Sequence, residues 1–278
     1  VVDELREIFR YRDLVRNLVA RDLKVRYKNS VLGFFWSFAN PVVQVFMYWF
    51  LFKVVLSVGF DNYSAYVFCA FIAWTYSQMA ILDASSSVRA QHQLMKRVRF
   101  PREALPVSLV LSNLVHFLLA LCVLFAFLLT RPVIPRLVWL WLPAIIVVQT
   151  ALTMGVALIV ACLNVFYEDI KYIVTALLNI LFLASPIVYV VEQVMHSQLR
   201  FLGGFAPLFK KLFMLNPMAL IIHAYRQIFL GPPPPSANLG VYNMSPGLIA
   251  YGVLLSFGVL VFGYWFFNRY KWMFVERV

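Results

Sequence analysis

Long apolar runs separated by short basic segments set the pattern of this chain. Runs long enough to be membrane helices recur at 31–59, 63–82, 104–129, 137–163, 172–191 and 247–267. A hydrocarbon core about 30 Å thick needs roughly 20 apolar helical residues, so each run predicts one transmembrane helix. The short alternating segments of an outer-membrane barrel do not occur. Ahead of the first run, residues 3–28 predict an amphipathic helix. Arg10, Asp13, Asn17, Arg21, Lys24 and Lys28 form its polar face, and Tyr11, Leu14, Val15, Leu18 and Val19 its apolar one. Such a helix suits the membrane interface. Between the fifth and sixth runs, 205–215 and 218–230 are apolar but each too short to cross. Asn216-Pro217 separates them as a stop and restart. They predict a re-entrant external helix pair, followed by a stiff proline run at 232–235. The expected fold is an all-α polytopic membrane protein, with six transmembrane helices in a single domain over 1–278.

Composition agrees. Of 278 residues, 63% are hydrophobic and only 13% charged, about half the charged share of a soluble domain. The net charge of +12 sits in the loops, where it sets topology and meets lipid head groups rather than nucleic acid. Of the 24 Lys and Arg residues, seventeen fall in the N-terminal segment, 83–103, 164–171 and the C-terminal tail. Six fall on the opposite side, and Lys53 lies within the first run. Both termini are therefore expected in the cytoplasm. The N-terminus lacks the short apolar core and cleavage site of a signal peptide. Cys69, Cys122 and Cys162 lie in separate apolar runs and read as packing residues.

Catalytic chemistry has no foothold in the sequence. No Gly-Lys pair and hence no phosphate-binding loop occurs, nor does H-E-x-x-H or G-x-S-x-G. His92, His116, His196 and His223 lie in separate segments, and no ionisable residue sits near the middle of a run. A proton-coupled carrier would need one there. Lys53 and Asp83, near run ends, are placed to snorkel.

Two runs carry polar sides. Trp36, Asn40, Gln44 and Tyr48 form a drifting stripe on the first. Tyr172, Thr175, Asn179, Phe182, Pro186 and Tyr189 follow a three-four spacing on the fifth. Such side chains face other helices or water rather than lipid, and rings interleaved with amides suit sugars. Interhelical packing is the competing reading. In the second run, Ala70, Ala73, Ser77, Ala80 and Ala84 form a small-residue stripe suited to close packing. In the 164–171 loop, Glu168 or Asp169 is a candidate N-cap for the fifth helix.

Five segments in order, RDLKVRYKNSVLGFFWSFANP, FPREALP, FYEDIKY, LFLASPIVY and LNPMALIIHAYRQIFLG, resemble ABC-2-type permeases that export bacterial cell-surface polysaccharides. The similarity spans essentially the whole chain, through NRYKWMFVERV. The O-antigen exporters are nearest, with capsule and wall teichoic acid exporters close; an ABC-2 exporter of small hydrophobic compounds is the further alternative. The resemblance implies a transporter subunit rather than an enzyme, in the bacterial inner membrane, paired with a second copy and two separate ATP-binding subunits. ATP and Mg would be bound by those partners, so no cofactor is expected in this chain. The cargo would be an undecaprenyl-pyrophosphate-linked glycan, its channel lined by Trp36, Asn40, Gln44, Tyr48, Tyr172, Thr175, Asn179, Phe182 and Tyr189. Arg6, Arg10, Arg12 and Arg16 would receive the lipid pyrophosphate. Arg89, His92, Lys96 and Arg97, with Tyr167, Glu168 and Asp169, would meet the ATPase.

Overall fold

The computed structural model describes residues 11–27, 35–55, 62–91, 101–129, 137–196, 206–232 and 241–274. Every regular element among them is helical: α1 Arg12–Tyr27, α2 Trp36–Trp49, α3 Tyr63–Ala90, α4 Ala104–Leu129, α5 Leu142–Phe166, α6 Ile170–Ala184, α7 Val191–His196, α8 Ala206–Leu215, α9 Pro217–Phe229 and α10 Pro246–Tyr270. A π-turn, Phe50–Val55, continues α2, and a 3-10 turn, Leu137–Trp141, leads into α5.

Four helical stretches are long and apolar enough to cross a membrane: Tyr63–Ala90, Ala104–Leu129, Leu137–Phe166 and Pro246–Met273. These correspond to the second, third, fourth and sixth expected spans. The third matches its bounds, whereas α3 continues past 82 to Ala90 because 83–90 contains no helix breaker. The first expected span holds α2 and its π-turn, and 31–34 and 56–59 lie outside the described residues. The fifth departs most. Its helix ends at Ala184, because a residue before proline is pushed out of the helical region. Ser185, before Pro186, is extended at φ −105° and ψ 145°.

α3 is the hub of the bundle. Ala70, Ala73, Ser77, Ala80 and Ala84 are all buried, and their small side chains let α4 and α5 approach closely. The other extensive pairing is α5 with α10, whose backbones cross at Gly155 and Gly263. The apolar side of α1, Leu14, Val15, Leu18 and Val19, is covered by Ala104, Leu105, Val107 and Leu111 of α4, so it is spent largely on protein. Cys69 and Cys162 are buried, while Cys122 lies exposed on α4.

Two ties close the polar margins. At one end Arg226 of α9 is buried and donates to the Tyr66, Ile187 and Tyr189 carbonyls at 3.1, 2.9 and 2.8 Å for Tyr66, Tyr189 and Ile187 respectively. Ile187 and Tyr189 belong to the break after α6. The Tyr63 hydroxyl donates to Val188 between them, and the Asn216 amide donates to the Ser185 hydroxyl at 3.1 Å. Asn216 also caps α9, accepting from the Met218 N–H at 3.0 Å. Non-helical backbone in a membrane chain must find such partners inside the protein.

At the other end residues 101–106, PREALP, hold the C-terminal turn Lys271–Met273. Glu103, fully buried, pairs with the Lys271 ammonium at 3.4 Å, and the Arg102 guanidinium donates to the Lys271 carbonyl. Burial lowers the Arg102 pKa, with Glu103 beside it opposing the shift. Removing one member of a buried pair costs about 3–5 kcal/mol, whereas replacing both by apolar groups is often neutral. Glu103→Leu and Lys271→Met should each lower the melting temperature of the purified protein, and the double variant should recover most of the loss. Additive losses would show that the pair is not coupled.

Candidate functional site

α6 has little cover. Of its residues only Leu178 is buried; Ile170, Val174 and Phe182 complete the side packed on the core. Phe182 meets Trp74 of α3 edge-to-face at 5.9 Å. Tyr172 is 73% exposed, Asn179 is also exposed, and the Thr175 hydroxyl donates back to the Lys171 carbonyl at 2.8 Å. The expected stripe thus runs from the rim of the packed side onto the open side. Tyr189 lies beyond the break, half-buried, and donates to the Leu183 carbonyl at 2.8 Å. On α2, Trp36 is exposed and Gln44 half-buried; the side chains of Asn40 and Tyr48 lie outside the described residues. Both α2 and α6 lean on α3, so one core helix positions the two polar-sided elements.

The buried polar chemistry lies elsewhere. The Gln149 amide of α5 donates to the Ala73 carbonyl at 2.6 Å and the Ser77 hydroxyl at 3.0 Å, and accepts from the Tyr225 hydroxyl at 2.8 Å. Ser77 also meets Thr153 at 3.0 Å. One amide therefore ties α3, α5 and α9 together, and Tyr225 reaches Phe117, halfway along α4. Sequence reading missed this cluster and Arg226. The available signals were a lone glutamine inside an otherwise apolar span and a lone arginine in IIHAYRQIF, each needing an internal partner.

At the end where α3 finishes, Arg89 donates to the Glu168 carboxylate in the short α5–α6 turn. The two segments expected to meet an ATPase are thereby joined. Tyr167, Glu168 and Asp169 are exposed; His92, Lys96 and Arg97 lie outside the described residues. Asp169 occupies the N-cap position of α6, but its side chain makes no capping bond. Asp83, near the end of its run, has an Oδ2 that accepts from Arg26 at 2.7 Å and Asn113 at 2.9 Å. Arg12 and Arg16 are exposed on α1, while Arg6 and Arg10 lie outside the described residues. No cluster of His, Cys, Asp and Glu able to hold a metal occurs among the described residues.

Comparison with known proteins bears on this arrangement directly. Residues 13–230 match the family model described as ABC-2 type transporter. The chain belongs to the ABC-2 type transporter family. Within that family, two Klebsiella pneumoniae proteins named "O-antigen export system permease protein RfbA" are each 31% identical to it, over 265 and 267 residues. Each alignment covers 95% of this chain and 94% of the relative. A Myxococcus xanthus protein of the same name is 31% identical over 225 residues, covering 81% of this chain and 83% of its own. The resemblance read from the five segments is borne out. This ABC-2 protein is a membrane permease subunit homologous to O-antigen export permeases, and its apolar helices make it an integral membrane protein.

Proposed function

We propose that two copies of this ABC-2 permease form the channel of an ATP-driven exporter that moves undecaprenyl-linked, O-antigen-type polysaccharide out of the cytoplasm across the bacterial inner membrane. The observation that carries this reading is α6. Its open side mixes Tyr172 and Asn179 with apolar Ile173, Ile180 and Leu183; the asparagine calls for a polar partner or water, and the apolar residues suit packing beside a second copy. α2 and α6, the latter prolonged by the break, supply the two remaining spans. Trp36, Asn40, Gln44, Tyr48, Thr175, Phe182 and Tyr189 complete the lining.

The α8–α9 pair enters the outer leaflet from the external side, a reading supported by the burial of α9 and the reach of Tyr225 to mid-α4. The excess of Lys and Arg on one side supports cytoplasmic termini. There two ATP-binding subunits, with their own ATP and Mg, dock on Arg89, His92, Lys96, Arg97 and the Tyr167–Asp169 turn. The Arg89–Glu168 pair makes the two contacts one rigid unit. Arg6, Arg10, Arg12 and Arg16 receive the pyrophosphate by charge-assisted hydrogen bonds.

The test is purification of the chain from native membranes with its partners, and ATPase assay with and without undecaprenyl-linked glycan. Co-purification of an ATP-binding subunit and stimulated turnover are expected. Asn179→Leu combined with Tyr172→Ala should leave assembly intact and lower export at least about tenfold, a loss of order 1.4 kcal/mol. Export of small hydrophobic compounds would tolerate that change. An isolated chain with no ATP-binding partner would overturn the reading.

A further inference from the structure

Where α1 crosses the end of α3 and the start of α4, a cavity of about 510 Å³ opens. This is within the range of small-ligand sites. Arg21, Asp22 and Arg26 of α1 reach it, with Asp83 and Ser87 of α3 and Ser108 of α4. The two guanidinium and two carboxylate groups leave it without net charge, although the chain as a whole is strongly basic.

Its hydrogen bonding is divided unevenly. Arg26 is already committed, 2.7 Å from Asp83 Oδ2, 3.7 Å from Asp22 Oδ2 and 3.4 Å from the Asn113 oxygen. Asp83 Oδ2 also accepts from Asn113, and Asp22 Oδ2 from the Ser112 hydroxyl at 2.5 Å. In each carboxylate the recorded bonds fall on Oδ2, leaving Oδ1 as an acceptor. Ser87 and Ser108 donate to the Ala84 and Leu105 carbonyls at 2.7 and 2.8 Å, which leaves their oxygen lone pairs for a ligand. Arg21 is exposed, and no carboxylate among the described residues pairs with it. The cavity therefore offers one guanidinium beside several acceptors. A ligand that satisfies it carries a phosphate for Arg21 and an N–H-rich cation for the carboxylates.

An anion alone, such as a pyrophosphate, would meet two carboxylates, and a bare cation would leave Arg21 unmatched. Leu18, Val25, Leu105 and Leu109 supply the apolar part of the wall, at the end of two membrane-crossing helices where lipid head groups lie. We propose that this cavity binds the head group of a phospholipid bearing a primary ammonium, such as an ethanolamine phospholipid, its phosphate on Arg21 and its ammonium between Asp22 and Asp83. This lipid is distinct from the transported cargo, and the site does not depend on what polymer is exported.

The purified transporter complex, reconstituted in equal amounts of ethanolamine and glycerol phospholipids of identical chains, is re-extracted in mild detergent and its retained lipid counted by native mass spectrometry. The ethanolamine lipid should be retained about tenfold over the glycerol lipid, as charge-assisted pairing of the ammonium that the glycerol lipid lacks demands. Arg21→Gln, an exposed substitution that leaves the fold intact, should lower the retention of both lipids, which share the phosphate, and Asp22→Asn should erode the preference, while Lys24→Gln on the same helix should keep both. Equal retention of the two lipids, or a total lipid retention unchanged in Arg21→Gln, would overturn the proposal. So would displacement of the lipid by soluble glycerophosphoethanolamine, which would mark a site for a free solute.

Discussion

Arg226→Met should remove most of the folded protein from the membrane. The arginine is 3% exposed and its guanidinium is divided among three backbone carbonyls, on Tyr66, Ile187 and Tyr189. Methionine fills the space of the stem and offers no donor. Each carbonyl left buried without a partner costs about 1–3 kcal/mol, and three together approach the whole stability of an ordinary domain, about 5–15 kcal/mol. The loss is compounded by Glu192, also buried, whose charge Arg226 balances. Lysine keeps the charge but is a compact donor that cannot reproduce the planar fork, so Arg226→Lys should fall between Met and the native residue. Fluorescence-detected gel filtration of solubilised membranes reads the result. A drop in monodisperse yield of about tenfold or more is expected for Met, since 1.4 kcal/mol is already tenfold in a folding equilibrium, and a smaller drop is expected for Lys. A Met variant that elutes and melts like the native protein would show that other groups satisfy the break after α6.

The same residue marks the border between what the sequence makes legible and what it does not. Apolar length alone located α4 at its bounds, and Asn216-Pro217 located the joint between α8 and α9, because both signals are local. The end of α6 was also written locally, in Ser185-Pro186, but a proline in a membrane helix can equally be absorbed as a kink. Which outcome occurs depends on whether donors wait for the freed carbonyls. Here the donors are Arg226 and Tyr63, roughly 40 and 125 positions away in the chain. No window of sequence contains both halves of that arrangement.

Charge proved harder to read than hydropathy for a similar reason. Asp83, placed by the sequence at a span end, also joins Arg26 and Asn113 across three helices. Glu103, at the end of the basic 83–103 segment, is fully buried against Lys271. The Arg89–Glu168 pair was half legible, since both segments were expected at one end of the bundle, but not that they touch. In the candidate path, the three-four spacing on α6 included Tyr172 and Asn179, which are exposed, but also Phe182, which packs on Trp74, and Tyr189, which lies beyond the break. Spacing could not say that the helix would be covered on so narrow a strip.

The second large effect is expected at the crossing of α5 and α10. A Cβ added at Gly155 would lie 2.6 Å from the Leu260 nitrogen and against the Val259 carbonyl group. These are backbone atoms of a long helix, so no side chain can swing aside, and the helices must part. In a membrane, where helix association rests on close packing rather than on water exclusion, separation along this contact removes much of what holds α10 to the bundle. Gly155→Ala should cost at least the about 1–3 kcal/mol of an overpacked core, and Gly155→Leu should prevent a stable fold. Gly263→Ala strikes the same crossing from the other helix, its Cβ 3.0 Å from Gly155 Cα. Once the helices have parted for one alanine the second costs less, so the double variant should lose less than the sum. Gly258 on α10 supplies the control, because nothing lies within 4 Å of a Cβ placed there. Gly258→Ala should be neutral or stabilise by up to about 1 kcal/mol through helix propensity. Thermal unfolding of Gly155→Ala, Gly263→Ala, the double variant and Gly258→Ala in detergent distinguishes these effects, and equal melting of Gly155→Ala and Gly258→Ala would show that α5 and α10 do not meet backbone to backbone. If they do, α5 and α10 form a pair without slack, and the adjustable part of the molecule is α6. That helix is bordered by a break whose Ile187, Val188 and Tyr189 carbonyls are held by the Arg226 and Tyr63 side chains.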